Sequence, residues 1–110
     1  MADTVLLDPL GRSIVLSDAT WYGHILKGHP DMAGARPHAE QTVGSPEAIH
    51  LSASDGECRL YYSPPGQPTG PARMICVVAN IQQGFVKTAY FCKRIKPGAR
   101  EWPLQKPSRA

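Results

Sequence analysis

Four segments with the character of β-strands follow one another between residues 48 and 91, and they constrain the fold more than any other feature. Residues 48–52 alternate apolar and polar side chains, and residues 74–79 form an almost unbroken apolar run, as in a central strand. Residues 58–63 and 85–91 are the other two strand segments. They are separated by the turn signal Asp55-Gly56, a Pro- and Gly-rich connection over 64–72 and the turn 82–84. The pattern predicts a meander of at least four antiparallel strands.

Successive side chains of a strand point to opposite faces of its sheet. Arg59 and Tyr61 are therefore expected on one face of the second strand segment. By the same alternation, Val86, Thr88 and Tyr90 are expected on one face of the last segment.

Short elements precede this sheet. The apolar runs 4–7 and 13–16 flank a Pro- and Gly-containing turn and predict a small hairpin. A helix is predicted over 18–28, capped by Ser17 or Asp18 and ended by Pro30. A second, short helix is predicted over 38–43, with Pro37 at its first position. The order predicts an α+β fold, with short N-terminal helices packed on a four-stranded or slightly larger antiparallel sheet.

A length of 110 residues predicts one domain, ordered over about residues 4–102, with 103–110 as a flexible tail. No stretch of about 20 apolar residues is present, and the first residues do not resemble a signal peptide. Three cysteines without a CxxC pair are typical of small buried side chains in a reducing compartment. We therefore expect a cytoplasmic protein with no membrane partner.

Charge is distributed unevenly between the two halves of the chain. Residues 1–57 hold three Lys or Arg against eight Asp or Glu, whereas residues 58–110 hold nine against one. The net charges are −5 and +8, so the second half can present a positive face to phosphates.

The predicted first helix carries a histidine on its apolar stripe. Trp21, His24, Ile25 and Gly28 recur at the spacing of one helical face. A structural histidine is the more common interpretation of such a position, and proton transfer is the functional alternative. His24 and His29 lie about 140° apart on an ideal helix, so they do not form the pair on one face that zinc requires.

The chain resembles the phage-associated Barnase–EndoU–colicin–RelE-like (BECR-fold) nuclease families over about residues 8–102. The resemblance is carried by the order and spacing of Trp21-x-x-His24-Ile25-x-x-x-His29-Pro30, Thr42-Val43-x-x-Pro46, Tyr61-Tyr62, Val77-Val78 and Val86-x-Thr88-Ala89-Tyr90. It implies N-terminal helices followed by a four-stranded antiparallel sheet. It also implies a bacterial or phage-encoded, toxin-like endoribonuclease, a hydrolase that works without metal or other cofactor.

The resemblance further implies which residues act. Catalytic candidates are His24, His29, Arg59 and Thr88. Candidates for substrate binding are Tyr61 and Tyr90 from the same pattern, and Lys87, Lys93 and Arg94 from the basic charge of the second half of the chain. Lys87 departs from the family pattern, where an apolar residue is more usual. The implied partners are RNA, such as tRNA or mRNA, and an acidic antitoxin or immunity protein.

Metal-free RNA cleavage needs a general base that removes the proton of the ribose 2′-OH and a general acid that protonates the leaving 5′ oxygen. It also needs hydrogen-bond donors that stabilise the negative charge of the phosphorane. His24 suits either proton-transfer role, the guanidinium of Arg59 suits the phosphate oxygens, and the expected product is a 2′,3′-cyclic phosphate. Each of these residues also has a structural interpretation. Arg59 can form an ion pair across the sheet with Asp55 or Glu57. Thr88 and the tyrosines are residue types that are common in strands. Two further functional alternatives are a non-catalytic RNA-binding or phage structural module and a protein-interaction domain for an acidic partner.

Overall fold

The structure, a computed structural model, describes residues 3–64, 74–96 and 98–103. It has an α+β fold with a curled, mixed sheet of seven strands in the order β1-β2-β6-β5-β4-β3-β7. The strands are β1 Thr4–Leu7, β2 Ser13–Leu16, β3 Ala48–Leu51, β4 Cys58–Tyr62, β5 Met74–Asn80, β6 Phe85–Cys92 and β7 Arg100–Trp102. The helical segments are α1 Asp18–Thr20, a π turn Trp21–Ile25, α2 Leu26–Gly28, a 3-10 turn Pro30–Met32 and α3 Arg36–Gly44.

The α+β class is confirmed, but the prediction of an antiparallel sheet of four or slightly more strands is wrong, because the sheet has seven strands and is mixed. The four central strands form the predicted antiparallel meander. The N-terminal hairpin extends it through one parallel pairing, between Val15 and Phe85. β7 extends it at the other edge by pairing with β3. These additions join residues distant in sequence, which local patterns do not reveal.

The first helix begins and ends where the sequence predicts. Ser17 caps it, because its hydroxyl accepts a hydrogen bond of 3.0 Å from the backbone N–H of Thr20. The helix ends at Gly28, and Pro30 opens the 3-10 turn. His24 does not share the buried face, since only Trp21 and Ile25 of that stripe are buried. The π turn, marked by the hydrogen bond from Leu26 N–H to the carbonyl of Trp21, adds a residue to the turn and so changes the α-helical spacing.

The helices cover one face of the sheet, which we call the first face. Its core includes Trp21 and Ile25 of the first helix, Val43 of α3, and Tyr61 and Val77 of the central strands. Helix α3 contains the predicted second helix and begins slightly earlier, at Arg36. Among the described residues, no helix is both long and apolar enough to cross a membrane.

The opposite, second face carries its own apolar cluster. Tyr62, Met74 and Cys76 are buried there, and Leu60 and Tyr90 pack against them. Arg59 and Tyr61 lie on the first face, so the predicted alternation along β4 is confirmed. Residues 65–73 and 104–110, which cover most of the predicted long connection and tail, lie outside the described residues.

An irregularity in β6 changes which residues share a face. Ala79 pairs with Val86, and Val78 pairs with Thr88, so Lys87 is the extra residue of a β-bulge. Val86 consequently joins the core of the first face, whereas Tyr90 packs on the second. The prediction that Val86, Thr88 and Tyr90 share one face is therefore wrong, because it assumed strict alternation.

Gly84 forms the close contact between the hairpin and the central strands. Its carbonyl accepts a hydrogen bond of 2.8 Å from Val15 N–H. Its φ is +79°, and a Cβ built there would lie 3.3 Å from the carbonyl oxygen of Ser13. Both features favour glycine, since L side chains avoid positive φ.

We expect Gly84→Ala to lower the free energy of unfolding by about 1–2 kcal/mol, because of the positive φ and the crowded carbonyl. The matched control is Gly56→Ala, where a Cβ would meet no atom within 4 Å and φ is not positive. Urea unfolding of both variants measures the difference. Equal stability of the two variants would contradict the prediction.

Candidate functional site

His29 connects the end of the first helix with the last central strand. It leaves helical geometry at φ −138° and ψ 73°, as expected before Pro30. Its imidazole lies 5.5 Å from the ring of Tyr90, measured between centroids, with the planes inclined by 38°. His29 is half-buried, so one side of this pair is open to solvent. The two residues bring the helix motif and the strand motif together at the edge of the second face.

His24 and His29 are placed differently. His24 is exposed on the π turn, on the side away from the buried Trp21 and Ile25. Of the two histidines in the helix motif, His29 is therefore the one whose ring contacts a strand candidate.

Arg59 is engaged in contacts within the protein. Its Nε donates to Glu101 Oε2 at 3.0 Å, and its Nη1 donates to the carbonyls of Gly56 and Cys58 at 2.9 and 3.0 Å. Only 14% of the side chain is exposed. The pairing partner is Glu101 of β7, not the nearby Asp55 or Glu57 weighed from the sequence. A phosphate could bind Arg59 only by displacing these contacts, so Arg59 is not part of the site that we propose.

Tyr61 is fully buried on the first face. Its hydroxyl donates a hydrogen bond of 2.6 Å to Oδ2 of Asp8, a buried carboxylate in the hairpin turn. Arg12 donates to the same oxygen and also to Glu101, so the two acids and two arginines form one network. A base can stack only on an exposed ring, so we do not carry Tyr61 into the proposed site either.

The remaining strand candidates lie on or near the second face. Thr88 and Tyr90 are half-buried and two residues apart after the bulge, so they share that face. Lys87 Nζ lies 3.9 Å from Asp55 Oδ2, and both side chains are more than 40% exposed, so this pair is weak. Lys93 and Arg94 follow β6 and are exposed.

Sequence reasoning missed His50 and Lys96. They line a cleft of about 310 Å³ on the second face together with Leu51, Ser52, Ala53, Ser54, Leu60, Val78 and Tyr90. The alternation along β3 could have placed His50 beside Leu60, its partner on β4. The role of Lys96 depends on the segment after β6 folding back over the sheet, which no local pattern indicates.

Burial sets the protonation of the groups around this cleft. It lowers the pKa of His50, as does the positive charge of Arg100, so the neutral imidazole is favoured. Burial also raises the pKa of Tyr90, with a further contribution from its contact with the Cys76 thiol. The phenol therefore keeps its proton at neutral pH and can donate a hydrogen bond.

No group of three His, Cys, Asp or Glu side chains in the described ranges is arranged to hold a metal ion. The comparisons with known proteins found no matching family model, no matching curated protein and no matching solved structure.

We expect Tyr61→Phe to lower the free energy of unfolding by about 1.5–3 kcal/mol, because buried Asp8 loses a hydrogen bond to its charged form. The matched control is Tyr22→Phe, since Tyr22 is 60% exposed. Denaturant titration measures both. A Tyr61→Phe protein as stable as the control would contradict the role given to this hydrogen bond.

We also expect stability to fall in acid. Burial raises the pKa of Asp8 and of Glu101, but hydrogen bonds from Tyr61 and Arg12 to Asp8, and from Arg12 and Arg59 to Glu101, outweigh it and leave both below their usual values. Their stabilisation is complete above the unfolded-state values of 3.8 and 4.5 and is lost as pH falls through the lower folded-state values.

Urea unfolding at about pH 7 and at successively lower pH values below about 4.5 tests this expectation. Glu101→Gln removes one of the two carboxylates and should show a smaller loss of stability on acidification than the wild type. An equal loss in the two proteins would exclude Glu101 as a contributor.

Proposed function

We propose that this protein is a metal-independent endoribonuclease whose reacting groups surround Tyr90 on the second face. The proposal rests on the contact between His29 and Tyr90, which places an imidazole beside the strand that contains the hydroxyl groups of Thr88 and Tyr90. The resemblance of the helix and strand motifs to BECR-fold nucleases supports the same chemistry.

Each group has a role that its position supports. His29 takes the proton of the ribose 2′-OH, and the half-exposed position lets solvent protonate the leaving 5′ oxygen. The hydroxyl of Thr88 donates a hydrogen bond to a phosphorane oxygen as negative charge develops, and that of Tyr90 does so by exchanging its hydrogen bond with the Cys76 thiol. The 2′ oxygen displaces the 5′ oxygen at phosphorus, which leaves a 2′,3′-cyclic phosphate and a 5′-hydroxyl.

Positive charge near this edge supports binding of the RNA backbone. Lys93 and Arg94 are exposed directly after β6, and Lys96 lines the neighbouring cleft. Such contacts release counterions from the nucleic acid, so binding should weaken as salt increases. An acidic antitoxin or immunity protein would be attracted to the same charges.

We expect the wild type to cleave total RNA or tRNA in EDTA and to leave cyclic phosphate ends. His29→Ala should reduce the rate by about 100-fold or more, the usual contribution of a positioned proton-transfer group. Tyr90→Phe should reduce it less, since it removes one hydrogen-bond donor. His38→Ala on α3 is the matched control and should cleave like the wild type. End-group analysis of the products and thermal unfolding of each variant complete the measurement.

The comparison with His24→Ala separates the two histidines of the helix motif. An inactive His24→Ala beside an active His29→Ala would move the reacting imidazole to His24 and contradict the site around Tyr90. Loss of activity in EDTA would exclude the metal-free mechanism. Salt-sensitive RNA binding without cleavage would favour the alternative of a non-catalytic RNA-binding module, which the exposed Lys93 and Arg94 also suit.

A further inference from the structure

His50 is buried without the hydrogen bonds that a buried imidazole needs. Only 6% of the residue is exposed, and neither ring nitrogen has a hydrogen-bond partner within the described part of the chain. Its neighbour Tyr62 meets the imidazole edge-on at 5.6 Å between centroids, a contact that uses the ring and not its nitrogens. Buried polar groups are almost always paired, and an unpaired one lowers stability. The exception points to a ligand that completes the site.

The cleft beside His50 has the surface of a pocket for a flat organic ligand. Leu60 and Val78 supply apolar walls, and Tyr90 supplies an aromatic ring. The volume of about 310 Å³ is at the lower end of the range for small-molecule pockets, about 300–1,000 Å³. None of the described lining residues is acidic, and Lys96 adds a positive charge, so the pocket suits an anionic ligand better than a cation.

We propose that the His50 cleft binds one nucleobase of the RNA, with the attached phosphate directed toward Lys96; this inference rests on the proposed ribonuclease function. A neutral imidazole has one hydrogen-bond donor and one acceptor, and the edges of nucleobases carry matching acceptors and donors. An aromatic ring such as that of Tyr90 is a stacking surface for any base. Tyr90 lines the cleft and also contacts His29, so a base held here stacks on the ring that the proposed reacting imidazole contacts.

Binding of the four nucleoside 3′-monophosphates to the full chain tests the pocket without any cleavage step. Calorimetry gives the affinities, and NMR of the histidine imidazoles reports whether His50 is the group that responds. Ribose 5-phosphate and inorganic phosphate are the probes that lack a base. We expect at least one nucleotide to bind more tightly than either of them and to shift the His50 signals.

His50→Phe is the decisive variant, because phenylalanine fills similar space and preserves the edge contact with Tyr62. It should weaken nucleotide binding by about tenfold or more, while its Tm equals or exceeds that of the wild type, since an unpaired buried polar group has been removed. A structural histidine would give the opposite pattern, with lower Tm and unchanged binding. His38→Phe on α3 is the matched control and should bind nucleotides normally.

The outcomes separate this inference from the ribonuclease proposal. A wild type that cleaves RNA but binds no nucleotide, or binds ribose 5-phosphate equally well, overturns the base pocket and leaves the proposed activity. A wild type that binds nucleotides through His50 but does not cleave RNA supports the pocket and overturns the activity.

Discussion

The ion pair between Arg12 and Glu101 holds together the two ends of the curled sheet. Arg12 lies in the turn between β1 and β2, and Glu101 lies in β7, at opposite ends of the strand order, yet their side chains meet at 2.7 Å. Arg12 also donates a hydrogen bond to buried Asp8, which accepts a second one from the hydroxyl of Tyr61. Removing one member of such a network leaves an uncompensated, partly buried charge, which costs more than the pair itself contributes.

The sheet has two faces, and the face on which each candidate residue lies decides which candidates can act together. On the first face, the candidates Arg59 and Tyr61 make hydrogen bonds within the protein, to Glu101 and Asp8. The second face retains Tyr90 and Thr88, with His29 at the edge. The bulge at Lys87 makes this possible, because it shifts the alternation along β6 so that Thr88 and Tyr90 lie on the second face while Val86 and Ala89 stay in the core of the first face. Stability and the proposed chemistry are thereby assigned to opposite faces.

The second face also concentrates features that do not stabilise the isolated protein. His50 is buried, and neither of its ring nitrogens has a hydrogen-bond partner among the described residues. Proteins tolerate such local costs where function requires them. The first face thus holds a fully paired network of charges, whereas the second face holds an unpaired imidazole, the group that we propose a ligand completes.

Several local elements of this protein can be predicted from short stretches of its sequence. The Ser17 cap, the end of the helix before Pro30 and the alternation along β4 follow from steric and hydrogen-bonding rules acting over a few residues. The partners of Arg59, the face of Thr88 and the burial of His50 arise from long-range contacts in the folded chain. These depend on a bulge and on contacts between distant strands, whose free energy arises from packing and charge pairing that no short stretch of sequence contains.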